Sequence, residues 1–176
     1  GFKLEEQDPA HCRLLNRLLA LYADGLAKES LVFNGLDHFL TELEHLQVPW
    51  GVVTNKPSLY TFPLLQQLRL LARCSAVVCP DHVVNRKPHA EPMLKACELA
   101  GVSPSESWYV GDHERDIASG RSAGCITIGA RWGYLADEDE PTRWQADYLL
   151  DTPAALRDFF WSADDISINS ISLNQK

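Results

Sequence analysis

Five short apolar runs, over 50–53, 76–79, 107–110, 125–128 and 148–150, alternate with longer segments whose apolar residues recur every three or four positions. Each run is bounded by Gly, Pro, Ser, Asn or Asp and is too short for an ordinary helix, so each predicts a strand. The segments between them predict helices over 36–46, 59–68, 89–99 and 117–123. Alternation of this kind specifies an α/β fold: a Rossmann-like parallel sheet with helices on both faces. Right-handed crossovers then carry every strand's carboxyl end to one rim, where open sheets bind their ligands. Thr54, Asp81 and Asp112 follow three of these strands and are expected to converge there.

Three parts are expected along the chain, 1–33, 34–160 and 161–176. Leu14, Leu15, Leu18, Leu19 and Tyr22 predict an amphipathic helix over 11–27, and Asn34-Gly35 supplies a turn before the next helix. Over 165–173 apolar and polar residues partly alternate; a solvated tail or an edge strand is expected there. No internal repeat or low-complexity tract is present.

The 176 residues, 45% of them hydrophobic, suffice for one substantial core. A net charge of −8 disfavours a nucleic-acid partner, because phosphate neutralisation needs clustered Lys and Arg. No apolar run approaches the roughly 20 residues that cross a bilayer, so no membrane partner is expected either. Five cysteines without a C-x-x-C pair point to a reducing compartment, here the cytoplasm, and Cys79 and Cys125 sit in strand-like runs that predict inert packing.

Chemistry concentrates at the rim. Thr54-Asn55 follows Gly51-Val52-Val53, offering a hydroxyl and backbone N–H groups that suit a phosphoryl oxygen; Thr54 as a plain helix cap is the alternative. Lys87-Pro88 precedes a helix, with an ammonium able to hold an anion. Gly111-Asp112-His113-Glu114-Arg115-Asp116 follows Trp108-Tyr109-Val110, and its carboxylates read either as a helix N-terminus or as hard oxygen ligands for Mg²⁺. An offset of four puts Asp112 and Asp116 on one helical face if the helix starts promptly. Asp112 is expected as a direct metal ligand, and Asp116 as a second ligand or as a partner that orients a water or Lys87.

In these segments, together with Cys79-Pro80-Asp81-His82-Val83-Val84-Asn85-Arg86-Lys87-Pro88 and Trp132-Gly133-Tyr134, the chain resembles the haloacid-dehalogenase superfamily of phosphatases. The resemblance spans about 33–156, is to the phosphoglycolate-phosphatase-like branch, and within it is greatest to the bacterial N-acetylmuramic acid 6-phosphate phosphatases. It implies Mg²⁺-dependent hydrolysis of a small phosphorylated metabolite through an aspartyl-phosphate. It assigns Thr54 and Asn55 to phosphate binding, Lys87 to stabilising nucleophile and phosphate, and Asp112 and Asp116 to the metal. Residues 1–33 then correspond to the end of a helical cap.

The family's first motif, an apolar strand ending in Asp-x-Asp, is not found. Asp137-Glu138-Asp139 has the spacing but follows no apolar strand and reads as a solvated loop. Because the family's first strand lies between those preceding Thr54 and Asp112, the expectation is that this chain is a truncated, inactive form of a longer protein. Two other readings stand beside the phosphatase: a non-catalytic phosphate-binding or regulatory protein on a degenerate core, and a metal-independent dehalogenase. Trp132, Tyr134 and Trp144 are aromatic candidates for a sugar contact, with packing of the last core segment the expected role of each. Oligomeric state is left open.

Overall fold

The computed structural model describes residues 30–172, with side chains through 162. The expected helix over 11–27 and the cap correspondence of 1–33 lie almost wholly outside the described residues. Helices α1 (Leu36–His45), α2 (Ser58–Gln67), α3 (Glu91–Ala100), α4 (Glu114–Ala123) and α5 (Pro153–Ser172) alternate with strands β1 (Gly51–Val53), β2 (Ala76–Val78), β3 (Trp108–Gly111), β4 (Ile126–Ala130) and β5 (Tyr148–Leu150).

Every ladder is parallel, in the orders β1-β2 and β3-β4-β5. Among the described residues no ladder joins β1 to β3. The two strands nevertheless share a core, since Val53 packs with Tyr109, Met93, Cys97 and Cys125.

Side-chain alternation along β3 explains the layers. Trp108 and Val110 face a cluster built on Phe39, Leu43, Ile128 and Leu156, from α1, β4 and α5, while Tyr109 faces α3. Leu36, Phe39, Leu40 and Leu43 recur at helical spacing, which is why α1 offers one apolar stripe to that cluster. Glu42 accepts two 2.8 Å hydrogen bonds from Arg157, fastening α5 to α1. Ala76, Val78 and Ala96 form a further cluster under α3. Helices therefore cover both faces, as the alternation predicts.

The last segment differs from expectation. Thr152 caps α5 through a 3.0 Å bond from the Ala155 N–H, Pro153 opens the first turn, and the helix continues through the alternating stretch to Ser172. Once nucleated on the packed Leu156, Phe159 and Phe160, each added residue gains a backbone bond, and this outweighs weak alternation. Through Ser172 the stretch is helical and not an edge strand.

Buried cysteines behave as core. Burial pushes the Cys79 thiol up and the Cys125 thiol up to about 12, and Cys74, Cys79, Cys97 and Cys125 are all unbridged.

Candidate active site

Thr54 ends β1 with its N–H still donating to Val78 O at 3.0 Å. Its Oγ1 accepts the Lys56 N–H at 3.0 Å, which turns the chain outward and leaves the hydroxyl hydrogen for a ligand. Thr54 is not the cap of α2. That position belongs to Pro57, and the first free N–H of the helix, on Ser58, is satisfied by Asp81 Oδ1 at 2.9 Å. The Ser58 partner thus lowers the Asp81 carboxyl from its ordinary value, and Asp81 lies outside the cavity that Thr54 lines, contrary to the convergence expected of it.

That cavity, about 470 Å³, is lined by Thr54, Asn55, Lys56, Lys87, Asp112, His113, Arg115, Asp116 and Tyr134. Thr54, Asn55, Lys87, Asp112 and Asp116 thus meet in it, without Asp81. Asn55 Nδ2 donates to Lys87 O at 3.1 Å and ties the two loops together, whereas its Oδ1 is buried without a partner among the described residues. An orphaned buried acceptor costs about 1–3 kcal/mol, which a donor arriving with a ligand or hydrated ion would relieve.

Lys87 is 8% exposed, and its ammonium lies between β1 and β3. It donates to Val53 O at 2.9 Å, to the Tyr109 hydroxyl at 2.9 Å and to Asp116 Oδ1 at 2.8 Å. All three ammonium hydrogens are thereby engaged within the protein. Burial, then the nearby Asp116 carboxylate, push the Tyr109 hydroxyl far above its ordinary value, so Tyr109 stays a neutral phenol. Nothing in the sequence reading picked out Tyr109. The available signal was a tyrosine in a buried strand, since a buried phenol needs a polar partner.

Asp112 directly follows β3, and His113 rather than Asp112 caps α4, its Nδ1 accepting the Arg115 N–H at 3.2 Å. The helix begins at Glu114, so the two carboxylates do not share a helical face; the strand end presents one and the helix's first turn the other. Asp112 Oδ2 accepts the Tyr134 N–H at 3.0 Å. Glycines make this approach possible. A Cβ on Gly133 would lie 2.1 Å from Asp112 Cβ, and one on Gly111 would lie 2.3 Å from Asp116 Cβ.

Trp132 and Trp144 pack as expected, Trp132 against the α1–α5 cluster and Trp144 at 6% exposure. Tyr134 does not. Its ring is 89% exposed at the cavity rim because its backbone is committed to Asp112. Asp137-Glu138-Asp139 lies in a loop, with Asp139 Oδ2 accepting the Ala136 N–H.

Two hard carboxylates of this kind suit Mg²⁺, which takes one or two protein carboxylates and keeps several waters. Among the described residues no group of three or more His, Cys, Asp or Glu is arranged to hold a metal by itself.

A profile of the haloacid dehalogenase-like hydrolases matches residues 3–130. The chain belongs to this family. It is 43% identical over 163 residues to the N-acetylmuramic acid 6-phosphate phosphatase of Pseudomonas putida, covering 93% of this chain and 73% of that protein. It is 38% identical over 143 residues to the phosphoglycolate phosphatase of Xanthomonas campestris, covering 81% and 65%. Its fold matches the crystal structure of a predicted phosphoglycolate phosphatase from Haemophilus somnus with a TM-score of 0.78 at 24% identity, over 89% of this chain and 69% of that one. The relatives are phosphatases, and they set this haloacid dehalogenase-like hydrolase among the phosphomonoester hydrolases of its family.

Proposed function

We propose that this chain forms the phosphate- and metal-binding side of a Mg²⁺-dependent phosphomonoesterase for a small phosphorylated metabolite, a sugar phosphate or phosphoglycolate, working in the cytoplasm. The observation that carries the reading is the meeting of Thr54, Asn55, Lys87, Asp112 and Asp116 in one cavity at the sheet rim. The acidic chain disfavours a nucleic-acid partner, and among the described residues no helix is long and apolar enough to cross a membrane. Both relatives named above act, by their names, on a phosphate ester that also carries a carboxylate.

In this reading the Thr54 hydroxyl and the Asn55 N–H donate to the phosphoryl oxygens as charge gathers on them. Lys87 acts mainly by position. With its three donors on Val53 O, Tyr109 and Asp116, it sets a fixed positive charge beneath the phosphate and holds Asp116 in place. Asp112, and Asp116 through its second oxygen, would hold Mg²⁺, which when bound supplies charge screening for the phosphoryl group. Asn55 Oδ1 is placed to accept from a coordinated water.

The aspartate nucleophile of an aspartyl-phosphate route has no counterpart among the described residues that line the cavity: Asp116 is paired to Lys87, and this reading assigns Asp112 to the metal. That observation favours a second reading, a phosphate-binding chain without turnover. Assay of phosphate release decides between them, using this chain and a chimaera that keeps its residues in the matched region and takes those of the Pseudomonas putida relative outside it. Mg²⁺-dependent release by the chimaera, lost on Asp112→Asn, supports the phosphatase. Binding of phosphate without turnover by the chimaera supports the alternative.

A further inference from the structure

Arg115 is a cation where a helix disfavours one. It lies in the first turn of α4, at the positive end of the macrodipole, beside two acidic neighbours, Glu114 and Asp116, that suit that end. Its exposed guanidinium has no carboxylate partner among the described residues, and Asp116 one position on gives its Oδ1 to Lys87 instead. It lines the same cavity as Thr54 and Asp112. His113 lines it too, and because its Nδ1 accepts the Arg115 N–H, the neutral ring carries its hydrogen on Nε2, a second donor without a partner among the described residues.

In the proposed reading phosphate recognition does not need either group, since the Thr54 hydroxyl and Asn55 N–H at the end of β1, with the charge of Lys87 behind them, would serve the phosphoryl dianion. We propose that Arg115, assisted by His113, is the specificity-determining residue for a second anionic group on the substrate, a carboxylate, which it grips through the paired N–H fork that matches carboxylate geometry. This deepens the phosphomonoesterase reading and rests on it. A substrate of the preferred class thus carries a phosphate ester at one end of the cavity and a carboxylate at the other, and a neutral phosphate ester of equal size loses the second contact.

The test is a ¹H–¹⁵N NMR titration of this chain in the presence of Mg²⁺ with three probes: inorganic phosphate, 2-phosphoglycolate and 2-hydroxyethyl phosphate. The wild type is expected to bind the carboxylate ester about tenfold more tightly than the neutral one, within the range of a charge-assisted pair. In Arg115→Gln that ratio falls to about one, and Arg115→Lys, which keeps the charge without the fork, gives an intermediate ratio. The amide spectrum reports the fold of each variant directly. A wild-type ratio near one overturns the proposal, as does a tenfold ratio that survives in Arg115→Gln. So does a lowered melting temperature in Arg115→Gln with the ratio intact, which would show Arg115 pairing within the chain instead. Failure of inorganic phosphate to shift Thr54 or Asn55 refutes the underlying phosphate site, and this proposal with it.

Discussion

Gly133→Ala is the sharpest test of how Asp112 is held. The added methyl would stand 2.1 Å from Asp112 Cβ, 2.7 Å from Cγ and 2.4 Å from Oδ2. Carbon atoms rest at about 3.5–4.0 Å, so the two segments must separate by roughly 1.4 Å or more. Gly133 is not among the described glycines with positive φ, so alanine meets no backbone penalty and the effect is steric. Side-chain rotation cannot move Asp112 Cβ, so the backbone of one segment must shift: moving the Gly133 loop breaks the Tyr134 N–H bond to Asp112 Oδ2, and moving Asp112 carries its carboxylate out of place. Either way the proposed metal ligand moves by about 1 Å, a displacement that costs on the order of 100-fold in rate, or about 2.7 kcal/mol. The loop lies at the surface, so the stability loss should stay near the low end of overpacking, about 1 kcal/mol. The assay is Mg²⁺-dependent kcat/KM of the chimaera, read beside the midpoint of urea unfolding. Activity within threefold of wild type at an unchanged midpoint would refute the placement of Asp112 described here.

Three further outcomes follow from the same geometry. Lys87→Met strands the buried Asp116 carboxylate and should cost about 3–5 kcal/mol in urea unfolding, while the double variant with Asp116→Leu costs less than Lys87→Met alone; additive losses would contradict the pair. Asp147 accepts the Thr127 N–H and hydroxyl at 2.7 Å each, and these bonds hold its folded pKa below the ordinary value. Its contribution is therefore present above the unfolded pKa and lost as pH falls through the lower folded one, so Asp147→Asn should be destabilised relative to wild type above about pH 4 and converge with it as the pH is lowered further. A gap independent of pH would refute that assignment. Thiol labelling of the native protein at pH 8 should modify Cys74 ahead of Cys79, Cys97 and Cys125, because the latter three are buried; equal rates by peptide mapping would contradict their burial.

The fold was legible because its periodicities are strong. Val52-Val53, Val77-Val78 and Ile126–Ile128 sit between turn residues, and the Leu36, Phe39, Leu40, Leu43 stripe has no reading other than a helix face. That Thr54, Lys87, Asp112 and Asp116 line one cavity was legible through their order along the chain. What escaped was set by contacts remote in sequence. Asp81 looked like Asp112, an aspartate after a strand, yet a free N–H on Ser58 claimed it. Tyr109 became a partner of Lys87 only because β3 turns alternate residues toward α3. The role of Gly133-Tyr134 depends on a loop returning over β3 from 22 residues downstream of Asp112. The helical reach of α5 was hidden by an alternation too weak to override a growing helix.

The central claim is that this cavity forms the phosphate- and metal-binding side of a phosphatase site. Its most direct measurement is phosphate release from 2-phosphoglycolate and sugar 6-phosphates by the Pseudomonas putida chimaera, with Mg²⁺ and with excess EDTA. The account predicts release with Mg²⁺ that EDTA abolishes and that Asp112→Asn lowers at least 100-fold, about 2.7 kcal/mol. Release that persists in EDTA, or that is undiminished in Asp112→Asn, would contradict it.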